Sequence, residues 1–267
     1  MTDKLTCGNY EYLPLKDNMA AIARYTGEDA EVVIPADLDG KPVVAIMERA
    51  FAENRTLTTI TIPEGVLLID HATFFNCTTL QHITLPQSLV GIEALAFAYC
   101  AALTDVDLPD SLEALGGAAF FRCISLQHIH LPRDLTSIEA STFCGCVALA
   151  EAHLHEEITA IHPEAFRECA SLQHINLPDS IEHIGSMAFK DCTSLRHINL
   201  PRTVTTIGGE TFSGCTALQS VVFPGLGLSN CHIGQSAFSN CTSLQSIVLP
   251  QDLTSIGNSA FYHCTSL

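Results

Sequence analysis

The sequence has no tryptophan, and its 12 lysine and arginine residues are outnumbered by 29 aspartate and glutamate residues, giving a formal net charge of −17. So few basic residues cannot form the positive surface that phosphate backbones require, which argues against nucleic-acid binding. Charged residues make up only 15% of the chain and hydrophobic residues 47%, a balance that excludes intrinsic disorder. No apolar run approaches the roughly 18–20 residues of a membrane span.

The N-terminus also lacks a recognisable export signal. Residues 1–7 contain neither an apolar stretch nor a small-residue cleavage site, both of which a secretory signal peptide needs. As it stands, the sequence predicts a cytoplasmic protein, or a surface or secreted one from which the signal has been removed. Twelve cysteines would suggest disulfides only in an exported chain.

Phenylalanine recurs along the chain with a fixed period. Successive positions lie 23 residues apart, except for one interval of 26 caused by an insertion around residues 225–231, and the set is Phe51, Phe74, Phe97, Phe120, Phe143, Phe166, Phe189, Phe212, Phe238 and Phe261. Cysteine follows three residues after nine of them and leucine six residues after all ten. A repeat of this length that cannot bury its own apolar side predicts a stack of coils, or solenoid.

Each unit reads A/T-F-x-x-C-x-x-L-x-x-I-x-L-P-x-x-L-x-x-I. Its alternating segment, such as His174 to Leu177, predicts a short strand, which proline ends because it has no N–H for a ladder. The return path to the next strand is predicted to be a short extended piece plus one turn of helix. The expected fold is a right-handed, β-rich mixed α/β solenoid of about ten 23-residue coils with one parallel sheet.

The segments Leu131–Ile138 and Ile184–Ile198 carry the pattern L-P-x-x-L-T-x-I-x-x-x-A-F-x-x-C-T-S-L-x-x-I between them. This pattern resembles the BspA-like, or Treponema pallidum-type, leucine-rich repeat family, from about residue 32 to the end of the chain. The resemblance implies a leucine-rich repeat solenoid and a bacterial surface protein that adheres to host matrix or to other cells.

The two ends of the chain depart from the repeat. Tyr10–Leu15 and Met19–Tyr25 predict a strand pair, so residues 1–45 are expected to be an N-terminal β cap with a first irregular coil, and residues 46–267 one continuous solenoid. The last coil is incomplete, because the chain stops at Leu267 before the expected strand. This favours a truncated chain.

The cysteines outside the periodic column are interpreted differently from those within it. The nine column members are expected to be small buried hydrophobic residues. Cys7, Cys144 and Cys231 lie outside the column and are predicted to be the reactive thiols. Cys144-Gly145-Cys146 resembles a metal motif, but it has no second copy elsewhere in the chain.

Histidine is concentrated at the outward positions of the predicted strands. Six of the 12 histidines fall among 18 such positions, where random placement predicts about one. Together with neighbouring acids they predict a partner-binding concave face, formed by His82, Asp105, Asp107, His128, His130, Glu151, His153, His174 and His197. On adjacent strands, His128 is expected between Asp105 and Glu151, and His130 beside Asp107 and His153.

Several interpretations of this face stay open. Alternating imidazoles and carboxylates could bind a basic protein or, through His128, His130 and His153, a divalent metal. The face could also be a passive solvated surface copied from one ancestral unit. No nucleotide-binding or hydrolase motif occurs, so neither enzyme activity nor a cofactor is predicted. The leading hypothesis is a non-enzymatic protein-binding scaffold in bacterial surface adhesion, and the alternative is a cytoplasmic interaction or assembly module.

Overall fold

The computed structural model describes residues 3–223, 231–250 and 253–267, so the insertion at 225–231 lies outside the described residues except for Cys231. The chain forms the predicted stack of coils, most of them built from two short strands joined by turns. Pairing between coils is parallel, in the register that a repeat of 23 residues requires.

The first strand of each coil forms one column, which we call the strand face. Its strands are Glu31–Val33, Thr59–Thr61, His82–Thr84, His128–His130, Glu151–His153, His174–Ile175, His197–Asn199, Ser220–Val222 and Ser246–Val248. They pair as three separate three-stranded sheets.

The predicted extended piece of the return path is a second strand, and it forms a column of its own. Its strands are Lys41–Ile46, Leu68–Ile69, Gly91–Ile92, Ala114–Leu115, Ser137–Ile138, Ala160–Ile161, His183–Ile184, Thr206–Ile207, Cys231–Ile233 and Leu253–Ile256, with Asp37–Leu38 antiparallel to the first of them. One sheet ends at Ala114–Leu115 and the next begins at Ser137–Ile138. The solenoid therefore has parallel sheets in two columns, where the sequence predicted one sheet.

The predicted turn of helix is wrong. The segment around each Phe is a run of turns, in which the residues two before and two after the Phe have positive φ, as at Ala72 and Asn76. Alternate N–H groups donate to the next coil, with Phe74 N bonded to Ala96 O at 2.7 Å, while those between them close local turns. A helix would use all these groups within the segment, whereas the turns extend the ladder between coils. The only helix among the described residues is the 3-10 helix Lys16–Asn18.

The Phe column forms the centre of the core. Its ten rings stack with centroids 5.2–5.8 Å apart. The widest spacing, 5.8 Å, separates Phe120 from Phe143, at the same junction where the second-column sheet is interrupted. Aromatic pairs add stabilisation beyond the burial of area, so this column ties each coil to its neighbours.

The cysteine column adds a polar link between coils that the repeat pattern does not reveal. Each thiol donates to the carbonyl oxygen of the Phe in the preceding coil, with Sγ–O distances of 3.1–3.2 Å. In the first coil Asn54 replaces cysteine, and its Oδ1 accepts from the Leu57 N–H at 2.8 Å. The predicted burial is confirmed for eight of the nine, Cys264 in the last coil being partly exposed, and a hydrogen-bonding role accompanies it.

The N-terminal strands Leu5–Cys7, Tyr10–Pro14 and Ala20–Tyr25 form an antiparallel meander. The last of them pairs in parallel with Lys41–Ile46, which joins the meander to the second column. The Tyr25 ring stacks on Phe51 at 5.0 Å and continues the Phe column, while its hydroxyl donates to Asp29 at 2.6 Å. The domain boundary at residue 45 stays a prediction, and strand Lys41–Ile46 crosses it.

Candidate interaction surface

The strand face is built by the alternation of each first-column strand. In His128–His130, for example, Ile129 is buried and the two flanking histidines are exposed. The same holds for Glu151–His153, where Ala152 points inward. All nine side chains that the sequence assigned to the face are exposed.

The centre of the face places imidazoles and carboxylates side by side. His128 pairs in register with Glu151 and Glu151 with His174, while His130 lies opposite His153. His153 Nε2 is 3.6 Å from Glu151 Oε2, and the His130 and His153 ring centroids are 6.5 Å apart. These pairings match the predicted arrangement on the C-terminal side of His128.

On the N-terminal side the predicted strand at 105–107 is not formed, and the position of Asp105 and Asp107 beside His128 and His130 stays a prediction. The coil that carries the two aspartates separates the first sheet of the face from the second. Aspartate is disfavoured in strands, and this coil has one at both outward positions. Asp105 Oδ1 approaches His82 Nδ1 at 4.0 Å. His128 therefore has an acidic neighbour in strand register on one side only, Glu151.

The C-terminal part of the face differs chemically. His197 starts the third sheet, and its Nδ1 is 2.9 Å from Ser220 Oγ. Beyond it, Val222 and Val248 pair in register and are 50% and 75% exposed. The face thus passes from a histidine and carboxylate region to an apolar one.

A depression of about 330 Å³ lies on the central part of the face. It is lined by Glu151, His153 and His174 together with Gln173 and Asn176. The coil beneath it carries Ala152 where most other units have isoleucine or valine. Gln173 and Asn176 were not predicted as site residues. The feature of the sequence that distinguishes this coil is the short side chain of Ala152.

The described residues contain no group of three His, Cys, Asp or Glu side chains arranged to hold a metal ion. His128, His130 and His153 are consequently not a preformed metal centre. Side chains from neighbouring strands would have to move together before a metal could bind.

Two of the three thiols predicted to be reactive are buried. Cys144 is 4% exposed, and desolvation raises its pKa to about 11, with Glu168 contributing in the same direction. Cys231 is 1% exposed, and burial raises its pKa as well. Since the thiolate is the nucleophile, neither group is suited to react. Cys7 is partly exposed, and its predicted reactivity stays a prediction.

We expect a thiol reagent at neutral pH to modify Cys7 quickly and Cys264 slowly in the native protein, because these two are the only cysteines that are not fully buried. The other ten should react only after unfolding. Absorbance of the released chromophore, with and without denaturant, gives the count, and mass spectrometry identifies the sites. Cys7→Ser should remove the fast phase. Rapid labelling of Cys144 in the folded protein would contradict the expectation.

A comparison with protein families identifies the repeat. The profile of the BspA type leucine rich repeat region matches residues 44–170 and 159–267, with six copies of the repeat. The chain belongs to the BspA-type leucine-rich repeat family. The predicted resemblance is thereby confirmed. Leucine-rich repeats of this type form a scaffold that is typical of protein interaction.

Solved structures of similar fold include leucine-rich repeat proteins from bacteria. A leucine rich cell surface protein from Faecalibacterium prausnitzii A2-165 is 25% identical, with a TM-score of 0.61 over all of this chain and 94% of that one. A leucine-rich repeat protein from Bacteroides ovatus is 22% identical, with a TM-score of 0.62 over 98% of this chain and 93% of that one. No curated protein sequence is significantly similar to this chain. No helix among the described residues is long and apolar enough to cross a membrane.

Proposed function

We propose that this BspA-type repeat protein is a non-enzymatic scaffold whose strand face, from His82 to His197, binds a protein partner in surface adhesion. The central pairing of His128 and His130 with Glu151 and His153 carries the proposal. These side chains are all exposed, so they contribute little to folding. Their strands rest on the buried Phe column, and so the polar groups are presented on a rigid support.

The chemistry of the face favours a protein ligand. Carboxylates at Asp105, Asp107 and Glu151 can pair with basic side chains of a partner, and imidazoles can donate or accept hydrogen bonds. The exposed Val222 and Val248 supply an apolar contact at one end. Polar groups beside an apolar patch are typical of protein interfaces.

Two observations support adhesion and the absence of catalysis. The chain is similar along its whole length to a protein described as a leucine rich cell surface protein, which supports a role outside the cell. The depression at Glu151 and His174 is partly open to solvent and belongs to the strand face, whereas catalysis on small molecules uses enclosed pockets that exclude water.

The function can be tested with immobilised extracellular-matrix proteins and the purified chain, by biolayer interferometry. At least one matrix protein should bind saturably. The triple variant His128→Ala, His130→Ala and His153→Ala should weaken that binding about tenfold or more, while the free energy of unfolding stays within about 1 kcal/mol of the wild type.

A matched control replaces the same number of histidines on the second column, at His162, His183 and His232. These lie on or next to strands Ala160–Ile161, His183–Ile184 and Cys231–Ile233, away from the strand face. The control variant should bind as the wild type does. Equal loss of binding in both triple variants, or no matrix binding by the wild type, would refute the proposal.

A further inference from the structure

Three aromatic residues outside the Phe column form a cluster on the turn edge of the solenoid. Phe75, Tyr99 and Phe121 lie on three successive coils, and we call them the aromatic cluster. Ring centroids are 5.5 Å apart for Phe75 and Tyr99 and 5.3 Å apart for Tyr99 and Phe121, both in edge-to-face geometry. Tyr99 is 38% exposed and the two phenylalanines are half-buried.

The positions of the rings follow from the repeat. Phe75 and Phe121 directly follow the column residues Phe74 and Phe120, a position that points out of the core. The coil between them has Ala98 at this position, which leaves space that the next residue, Tyr99, fills. A bond of 2.7 Å from Tyr99 N to Phe121 O fixes the backbone there, so the cluster is preorganised.

An arginine lies at each end of the aromatic cluster. The Arg49 guanidinium is 5.5 Å from the Phe75 centroid, and that of Arg122 is 5.7 Å from the Phe121 centroid. Both side chains are about half exposed, at 48% and 49%. Each is paired with one carboxylate, Arg49 with Glu53 at 2.9 Å and Arg122 with Glu168 at 3.4 Å. The aromatic cluster with its two ion pairs is therefore locally neutral, although the chain as a whole is acidic. Aromatic residues and arginine are also the residues found in interaction hot spots.

We propose that the aromatic cluster is a docking site for a proline-rich segment in the polyproline II conformation. One turn of that helix rises about 9.3 Å, and Phe75 and Phe121 are two coils apart, where the column rings are spaced by 5.3 Å per coil. The two phenylalanines are thus separated by roughly one turn of such a helix, and successive turns can place a proline ring on either side of Tyr99. Aromatic side chains line the surfaces on which proline-rich ligands dock in general.

The polar groups of the cluster fit the same ligand. A polyproline II helix has no internal hydrogen bonds, so its carbonyl groups need external donors. The Tyr99 hydroxyl and the two guanidinium groups can supply them, because a guanidinium has five N–H donors and each of these two uses one in its ion pair. An uncharged, extended ligand also suits a neutral patch. This site lies on the turn edge and is independent of the strand face.

The test is isothermal titration of the full chain with acetylated decaproline, with a glycine-serine peptide of equal length as the negative control. Decaproline should bind saturably and the glycine-serine peptide should not. Tyr99→Ala should weaken decaproline binding about tenfold or more, the loss expected for a hot-spot aromatic. Tyr99→Phe keeps the ring and should retain most of the affinity.

The matched control is Tyr262→Ala, since Tyr262 is also an exposed tyrosine next to the Phe column, directly after Phe261, and lies far from the cluster along the stack. Its affinity for decaproline should equal that of the wild type, and circular dichroism should show Tyr99→Ala folded. The proposal is overturned if decaproline does not bind saturably, or if Tyr99→Ala binds decaproline as tightly as the wild type does. It is also overturned if the chain binds a β-glucan hexasaccharide but not decaproline.

Discussion

Raising the pH from 8 to 10 is expected to unfold the protein in a steep transition. Eight thiols of the cysteine column, Cys77 to Cys241, are fully buried, and desolvation raises the pKa of each, to about 12 for Cys77 and for Cys241 and further for those between them, such as Cys123 and Cys215. In the unfolded chain these thiols ionise near pH 8.5–9.

The sign of the effect follows from this difference. Below the unfolded pKa the thiols are protonated in both states and stability is complete. Between the unfolded and the folded pKa values the unfolded chain releases protons that the folded chain keeps, so stability falls as pH rises. Each thiol contributes up to about 1.4 kcal/mol per pH unit, and eight together lower the free energy of unfolding by roughly 8–10 kcal/mol between pH 9 and pH 10. This is comparable to the whole stability of a typical domain.

Urea unfolding followed by far-ultraviolet circular dichroism at a series of pH values would measure this effect, with a phosphine reductant present to prevent disulfide formation. The slope of the unfolding free energy against pH gives the number of protons released. A single Cys169→Ala variant should lower that slope by about one proton. Stability that stays flat from pH 8 to pH 10 would show that the thiols titrate in the folded protein.

Phe143→Ala is expected to lower the free energy of unfolding by about 3–5 kcal/mol. Phe143 is fully buried and stacks on Phe120 at 5.8 Å and on Phe166 at 5.5 Å. The substitution leaves a cavity within the column and removes two aromatic contacts. The surrounding coils are joined by backbone hydrogen bonds and cannot collapse to fill the space.

The same denaturation assay tests this prediction, and two variants calibrate it. Phe143→Leu keeps most of the volume and should cost less than half as much. Phe261 stacks on one column ring, Phe238, and is only partly buried, so Phe261→Ala should cost about half as much as Phe143→Ala. A Phe143→Ala cost equal to that of Phe261→Ala would mean that the column does not act as a continuous core.

The fold was predictable because the 23-residue period and the alternation of apolar and polar residues indicate the same stack of coils. The 23-residue spacing of Phe143, Phe166 and Phe189 determines that equivalent residues stack, and alternation around Ile129 determines which side chains face outward. The family resemblance rests on the same residues. The pattern could not reveal the features that depend on backbone geometry, because every coil shares them and no particular residue type indicates them. The positive φ values two residues before and after each Phe, in the turns that replace the expected helix, are of this kind, and so are the bonds from thiol to carbonyl.

For the candidate site, the sequence predicted which side chains point outward, but it did not predict that the column of strands is interrupted. All nine face residues are exposed as expected, since orientation depends only on position within the unit. The strand expected at residues 105–107 is absent because a unit with two aspartates does not follow the average of the repeat, and the pairing of His128 with Asp105 stays a prediction. The aromatic cluster was missed because its residues lie at two different positions of the unit, Phe75 and Phe121 at one and Tyr99 at the next.

The interruption between Ala114–Leu115 and Ser137–Ile138 has a mechanical consequence. Coils on either side of that junction are not paired in the second column, and the rings of Phe120 and Phe143 are the most widely spaced in their column. Force applied along the stack acts on all junctions in series, so extension is expected to begin at junctions that lack strand pairing in one column, of which this is one. The coil that carries Glu151 and His153 is paired with the next coil in both columns, and the two would remain folded together on the C-terminal side of the break.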